Sequence, residues 1–354
     1  MLAAMAGVPD PIPAIMAGPR QRRRAWLGSR TGIAGLVVLL ALSLLCIASI
    51  PYTFGSERPS DPPRYRDGSL TGYLLPPFWA RMTADERTRY DALNAERASQ
   101  GRSPARPLLG TDKLGRDLFA RCLAGGAISI GIGVAAAALS VVIGVLWGAI
   151  AGYFGGRLDA LLMRIVDVLY GLPYVLLVVL LAVAGDTLID SWARRHPERD
   201  LSDAARSTLD VLILLVAIGG VSWLTMSRVI RGQVLSLKAQ PFMEAARAMG
   251  IPVRRQLTAH LLPNLVAPII VYATLTIPQA ILQESFLSFL GIGIKPPLPS
   301  WGNLAAEGLG ELNPVRIRWW LIVCPCALLG TTLVALNMVG EALREAFDPK
   351  RSRR

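Results

Sequence analysis

Residues 31–50 read TGIAGLVVLLALSLLCIASI and carry no charged side chain. At 1.5 Å of rise per residue, about 20 such residues match the roughly 30 Å hydrocarbon thickness of a bilayer. Comparable apolar stretches recur at about 127–151, 165–184, 209–226, 263–282 and 319–340. In lipid a lone segment must satisfy its own backbone N–H and C=O groups, and runs of this length do so as helices. The chain is therefore predicted to be an all-α integral membrane protein of about six transmembrane helices. Its composition, 53% hydrophobic against 18% charged, excludes an ordinary soluble domain.

The formal net charge of +12 raises the question of nucleic acid. The basic residues do not gather on one aromatic-bearing surface. They flank apolar runs, as they do in membrane proteins oriented by the positive-inside rule, and no nucleic-acid partner is expected. The 1–30 extension is proline-rich and then basic, with Arg20, Arg22, Arg23, Arg24 and Arg30. Arg22 to Arg24 raise a twin-arginine signal reading. The apolar run after them exceeds the about 7–15 residues of a signal h-region and further spans follow, so a retained first helix over 31–50 is predicted.

Residues 51–126 form a long polar excursion placed outside, with a surface helix over Met82–Gln100 and an amphipathic segment leading into the second span. That span is rich in Gly and Ala, which suits close helix packing. Residues 152–164 are expected to be a turn, with Asp167 at the start of the third span and paired to Arg164 or Arg157. A polar loop is expected over 185–207. The segment 227–262 holds Arg228, Arg231, Lys238, Arg247, Arg254 and Arg255 against one acid, Glu244, and is therefore placed in the cytoplasm. With an even number of spans, both termini lie inside. The 127–340 region is then a five-helix core and 341–354 a cytoplasmic tail.

Within that inner loop, MEAARAMGIPVRRQLTAHLLPN (243–264) combines Glu244, Ala245 and Ala246 in a short helix, a stop at Gly250, the basic Arg254 and Arg255, and Pro263 closing the run. Small side chains let another backbone approach closely. The spacing resembles the EAA loop of ABC-importer membrane subunits. Upstream, Gly110-Thr111-Asp112 and Gly115-Arg116-Asp117 form a GTDxxGRD run. Downstream, residues 289–302 form an FLGxGxxPPxPxWG run, of which 295–302 reads as a rigid, aromatic-bearing external loop, and the tail carries LRxxxDP. These motifs, spread over 108–350, resemble the "C"-type permease family of peptide importers.

The resemblance implies a type I ABC-importer permease fold in the bacterial cytoplasmic (inner) membrane. It also implies a second homologous permease subunit, two ATP-binding subunits and an extracytoplasmic solute-binding protein as partners. Peptides are the implied substrate, with nickel or another small solute as the alternative within the family. Coupling to the ATPase is implied for Glu244, Ala245, Ala246, Gly250, Arg254 and Pro263. Asp167 and Glu284 are candidates for the pathway or an interface.

Other chemistries find little footing. No GxxxxGK[ST] run is present, so ATP and Mg are expected on partner subunits, with no cofactor on this chain and no catalytic role. Asp112 and Asp117 alone do not make a calcium cage. His196 and His260 lack metal-ligand spacing. Cys324-Pro325-Cys326 admits a copper-site reading, but small apolar cysteines packing in the sixth span account for it. An ion-gradient-driven secondary transporter would need mid-span charges and an internal repeat, neither of which stands out.

Overall fold

The computed structural model describes residues 29–59, 61–196, 202–312 and 316–347. The proline-rich, arginine-bearing extension and the basic end of the tail lie outside the described residues. Six helices are long and apolar enough to cross a membrane. The first, α1 (Arg30–Ala48), starts where the Ser29 hydroxyl accepts from the Gly32 N–H at 3.2 Å. It runs on through a turn to Thr53. The outer excursion then holds α2 (Ala84–Ser99), which occupies the predicted surface-helix stretch. Its start is fixed by a reciprocal cap in which Thr83 and Glu86 each bond the other's backbone N–H.

The frame of the molecule is α3 (Leu118–Phe154) beside α6 (Asp203–Lys238), the most extensive helix pair. The two run parallel, and small residues set their separation. A Cβ at Gly148 would lie 2.4 Å from the Ser227 carbonyl oxygen, and one at Gly144 would lie 2.5 Å from the Met226 Cβ. The four-residue spacing of these glycines is the small-residue packing expected of lipid-embedded helices.

The third crossing differs from its prediction. Residues 156–170 form a helix, α4 (Gly156–Tyr170), rather than a turn, and the span expected at 165–184 straddles a break. The chain resumes as α5 (Tyr174–Arg195) after Gly171-Leu172-Pro173. Proline disfavours the helical conformation of the residue before it and lacks a donor, so Pro173 ends α4 and opens α5. Hydropathy alone hid α4, because Arg157, Asp159, Arg164 and Asp167 interrupt its apolar residues.

The polar loop expected over 185–207 is mostly helix as well. Here α5 runs to Arg195 and α6 begins at Asp203, because helical hydrogen bonding does not stop where the apolar side chains do. For the same reason the inner 227–262 segment is partly the end of α6. It continues through α7 (Pro241–Ala248) into a short turn, Val253–Arg255, and a π-helical stretch, Gln256–Leu261.

Pro263 does not close that run. It sits in the first turn of α8 (Leu262–Phe289), where its missing N–H costs little. Pro268 and Pro278 lie inside α8, which continues through both. After α8 the chain forms α9 (Trp301–Leu309) and α10 (Trp320–Phe347), the latter packed antiparallel against α1. Among the described residues there is no strand, only two isolated bridges in the outer segment.

Candidate functional sites

Helix α7 stands on two residues. Met243 and Ala246 are buried, Met243 in a cluster with Leu237, Leu261 and Tyr153, while Glu244, Ala245, Arg247 and Ala248 face outward. The flat alanine face is therefore split, with Ala246 as an anchor and Ala245 on the surface. Sequence reasoning missed Phe242 and Met249, which are 40% and 70% exposed and lie with Ala245 at the i, i+3, i+7 positions of one stripe. That spacing was present in the sequence as a signal.

The end of α7 has the geometry of a Schellman stop. The Gly250 N–H donates to the Arg247 carbonyl at 2.9 Å and the Ile251 N–H to the Ala246 carbonyl at 3.1 Å. Gly250 takes φ +68°, a conformation that a side chain strains.

The segment is held from behind. The Tyr153 hydroxyl, at the end of α3, donates to Gln256 Oε1 at 2.8 Å, and Gln256 Nε2 donates to the Ile251 carbonyl at 2.6 Å. Arg254 and Pro263 are exposed below this clamp. The arrangement presents a short rigid helix, with an apolar stripe bordered by Glu244 and Arg247, on one end of the bundle.

At the other end the GTDxxGRD run folds around buried charge. Gly110 takes φ +85°, and a Cβ there would lie 2.8 Å from the Trp320 ring. The Thr111 hydroxyl donates to the Gly72 carbonyl at 2.6 Å. Asp112 Oδ1 accepts from the N–H groups of Leu114 and Arg116, both at 2.9 Å. Its Oδ2 accepts from Arg116 Nε at 2.7 Å and from Arg121 Nη1 at 2.6 Å.

Arg121 also grips Glu307 of α9 at 2.6 and 3.0 Å. Two carboxylates and two guanidiniums thus close a neutral four-membered cluster. Gly115, at φ +71°, brings the turn against Ser69, whose carbonyl oxygen would lie 1.9 Å from an added Cβ. Asp117 does a different job, accepting from the Phe119 N–H at 3.1 Å to cap α3. Arg121 and Glu307 were not foreseen, although an arginine inside the apolar run LFARCLAGG was a visible oddity.

Asp167 does not pair within its own helix. It meets Arg228 of α6 at 2.8 Å, and that guanidinium lies 4.0 Å over the Tyr170 ring. Two turns below, Asp159 and Arg231 form a two-contact pair at 2.5 and 2.6 Å. The side-chain hydrogen bonds from Arg231 hold the Asp159 carboxyl below the usual carboxylate range.

Glu284 is enclosed within the described residues. It is fully buried, and its oxygens accept from Ser288 at 2.8 Å and Ser285 at 3.2 Å. The run expected as an external loop packs its tryptophan into the molecule. Trp301 is fully buried and donates from its indole to the Cys122 carbonyl at 3.1 Å.

Residues 144–353 match the family described as the binding-protein-dependent transport system inner membrane component. The oligopeptide permease OppC of Escherichia coli K12 is 34% identical over 328 residues, 93% of this chain and 90% of that protein. OppC of Bacillus subtilis is 39% identical over 264 residues, 74% of this chain and 78% of its own length. The dipeptide permease DppC of Bacillus subtilis is 42% identical over 241 residues, 68% of each chain. The family match takes in the clamped helix α7, the end of α3 and every later crossing. With its six membrane helices, the chain is a multi-pass protein of the bacterial inner membrane and belongs to the inner membrane component family of binding-protein-dependent transport systems.

Proposed function

We propose that this chain is the transmembrane subunit through which an ATP-binding cassette importer passes di- and oligopeptides. Separate ATP-binding subunits supply the energy, and this chain carries no catalytic step and binds neither ATP nor Mg. The observation that carries the reading is α7, an eight-residue helix anchored by Met243 and Ala246 and terminated rigidly at Gly250. Such a helix, seated in a groove of a motor subunit, passes on rigid-body motion because its own end cannot flex.

Glu244, Ala245, Arg254 and Pro263 border or support that seat, with Phe242 and Met249 as its apolar contacts. The termini and α7 lie in the cytoplasm, and the excursion between α1 and α3 faces a solute-binding protein. A second homologous permease completes the pathway. The relatives' names supply the peptide class.

The test is uptake and ATP hydrolysis by the complete transporter in proteoliposomes. Gly250→Leu, which strains the positive φ, and Glu244→Lys, which reverses the charge at the stripe, are expected to reduce peptide uptake about tenfold or more while the subunits still assemble. Unchanged uptake in both variants would overturn the coupling role of α7.

A further inference from the structure

A cleft of about 750 Å³ opens in the outer segment, between residues 52–72, α2 and the turn that leads into α3. The whole length of α3 separates it from α7. Its volume is in the range of small-ligand sites. Most charges on its walls are spoken for. Glu57 pairs with Arg97 at 2.9 Å, Arg102 holds Asp67 at 3.2 Å and Asp61 at 2.7 Å, and Glu96 accepts from Ser69 and Thr71.

Three other charged lining groups lack an ionic partner. Among the described residues no ion pair engages Asp117, Arg64 or Arg106. Arg106 is exposed. Arg64 lies 4.3 Å over the Tyr52 ring and donates to the Tyr52 carbonyl at 3.5 Å, and Asp117 lines the same cleft as both.

Capping α3 does not account for the charge on Asp117, because asparagine caps a helix as well as aspartate does. Burial pushes this carboxyl up to about 6, against the pull of the Phe119 and Ala120 N–H groups. At neutral pH it is an anion without an ionic partner among the described residues, in a cleft that is also lined by Tyr52 and by Arg64 and Arg106, neither of which forms an ion pair. A zwitterion with an ammonium at one end and a carboxylate at the other would compensate both.

We infer that this cleft is a seat for peptides with free termini, in which Asp117 receives the α-ammonium and Arg64 the α-carboxylate, with the Tyr52 ring between them. This rests on the peptide reading above. It assigns to the outer segment a recognition step of its own, on the side of the membrane away from α7.

The experiment uses the complete transporter in lipid nanodiscs and a tripeptide carrying a central photoreactive phenylalanine. The peptide is offered with free termini or as its N-acetylated, C-amidated form, and the labelled residues are mapped. The free-termini peptide is expected to label the cleft walls, and the blocked one about tenfold less. Asp117→Asn, which keeps the cap, and Arg64→Gln should each reduce labelling about tenfold. Wild-type labelling should fade as pH drops through about 6, where the carboxyl takes up its proton, and this step should be absent in Asp117→Asn.

Equal labelling by free and blocked peptides in the wild-type complex would overturn the inference without reference to any variant. So would labelling confined to residues outside the cleft. Peptide uptake by the same complex keeps the two readings apart. Uptake without cleft labelling rejects this inference alone, whereas absence of uptake rejects the peptide reading beneath it.

Discussion

Arg121 shows what a single buried charge does here. Its guanidinium, 1% exposed, is shared between Asp112 and Glu307, so removing it leaves two carboxylates with Arg116 as their one remaining cation and the cluster with a net negative charge. Breaking a buried charge network by removing one partner costs about 3–5 kcal/mol. Arg121→Met is therefore expected to lower the thermal unfolding midpoint of the detergent-solubilised protein sharply. The double variant that also replaces Glu307 with Gln should recover part of the loss. A melting curve of each, read by intrinsic tryptophan fluorescence, checks both outcomes.

Legibility at this scale was uneven. Gly110, Gly115 and Gly250 declared themselves, since positive φ and close approach leave a glycine in the sequence. The tie between Arg121 and Glu307 spans 186 positions, and nothing local to either residue points to the other.

At the scale of elements, α4 and α6 are joined by two ion pairs, Asp159 with Arg231 and Asp167 with Arg228. Because Arg231 holds the Asp159 carboxyl below its ordinary value of about 3.9, this pair favours the folded state at pH above that value. The contribution is lost as pH falls through the lowered folded-state value. Stability measured by denaturant titration should thus be flat for this pair from pH 7 to about 4 and decline below. Asp159→Asn should remove that part of the acid slope, and an identical slope in the variant would contradict it.

The helices themselves were legible where apolar residues ran unbroken, as in α1, α3, α8 and α10. They were not legible in α4, whose acids Asp159 and Asp167 are neutralised by arginines of α6 that hydropathy cannot see. Pro173 marked the break between α4 and α5, but without knowledge of α6 the span was drawn across it. Most of the loop predicted over 185–207 is helix for a related reason, since polarity does not mark a helix end.

For the whole molecule, large apolar side chains remain exposed along most crossings, among them Val37, Leu44, Leu146, Leu176 and Leu180. Lipid or a second subunit must cover such surface, because water does not solvate it without cost. Purification of the tagged chain in mild detergent from its native membrane is therefore expected to bring down a second multi-pass permease together with nucleotide-binding subunits. Recovery of the chain alone, under conditions that keep a known importer assembled, would contradict the proposed assembly. The fold class and the position of α7 were readable from the sequence because both rest on short-range pattern. The outer cleft was not, because its walls come from residues as far apart as Tyr52 and Asp117.

The continuity of α3 has a mechanical meaning. Its 37 residues run without a break from Asp117, at the mouth of the outer cleft, to Tyr153, which grips the segment behind α7. At 1.5 Å per residue it is a strut of about 55 Å, and tilting it by one degree about its inner end swings the outer end by about 1 Å. Its neighbour crossing, jointed at Gly171–Pro173, has a place to bend and can absorb such a swing. One rigid arm and one jointed arm let a small push at the α7 end arrive at the opposite end as displacement rather than be lost on the way.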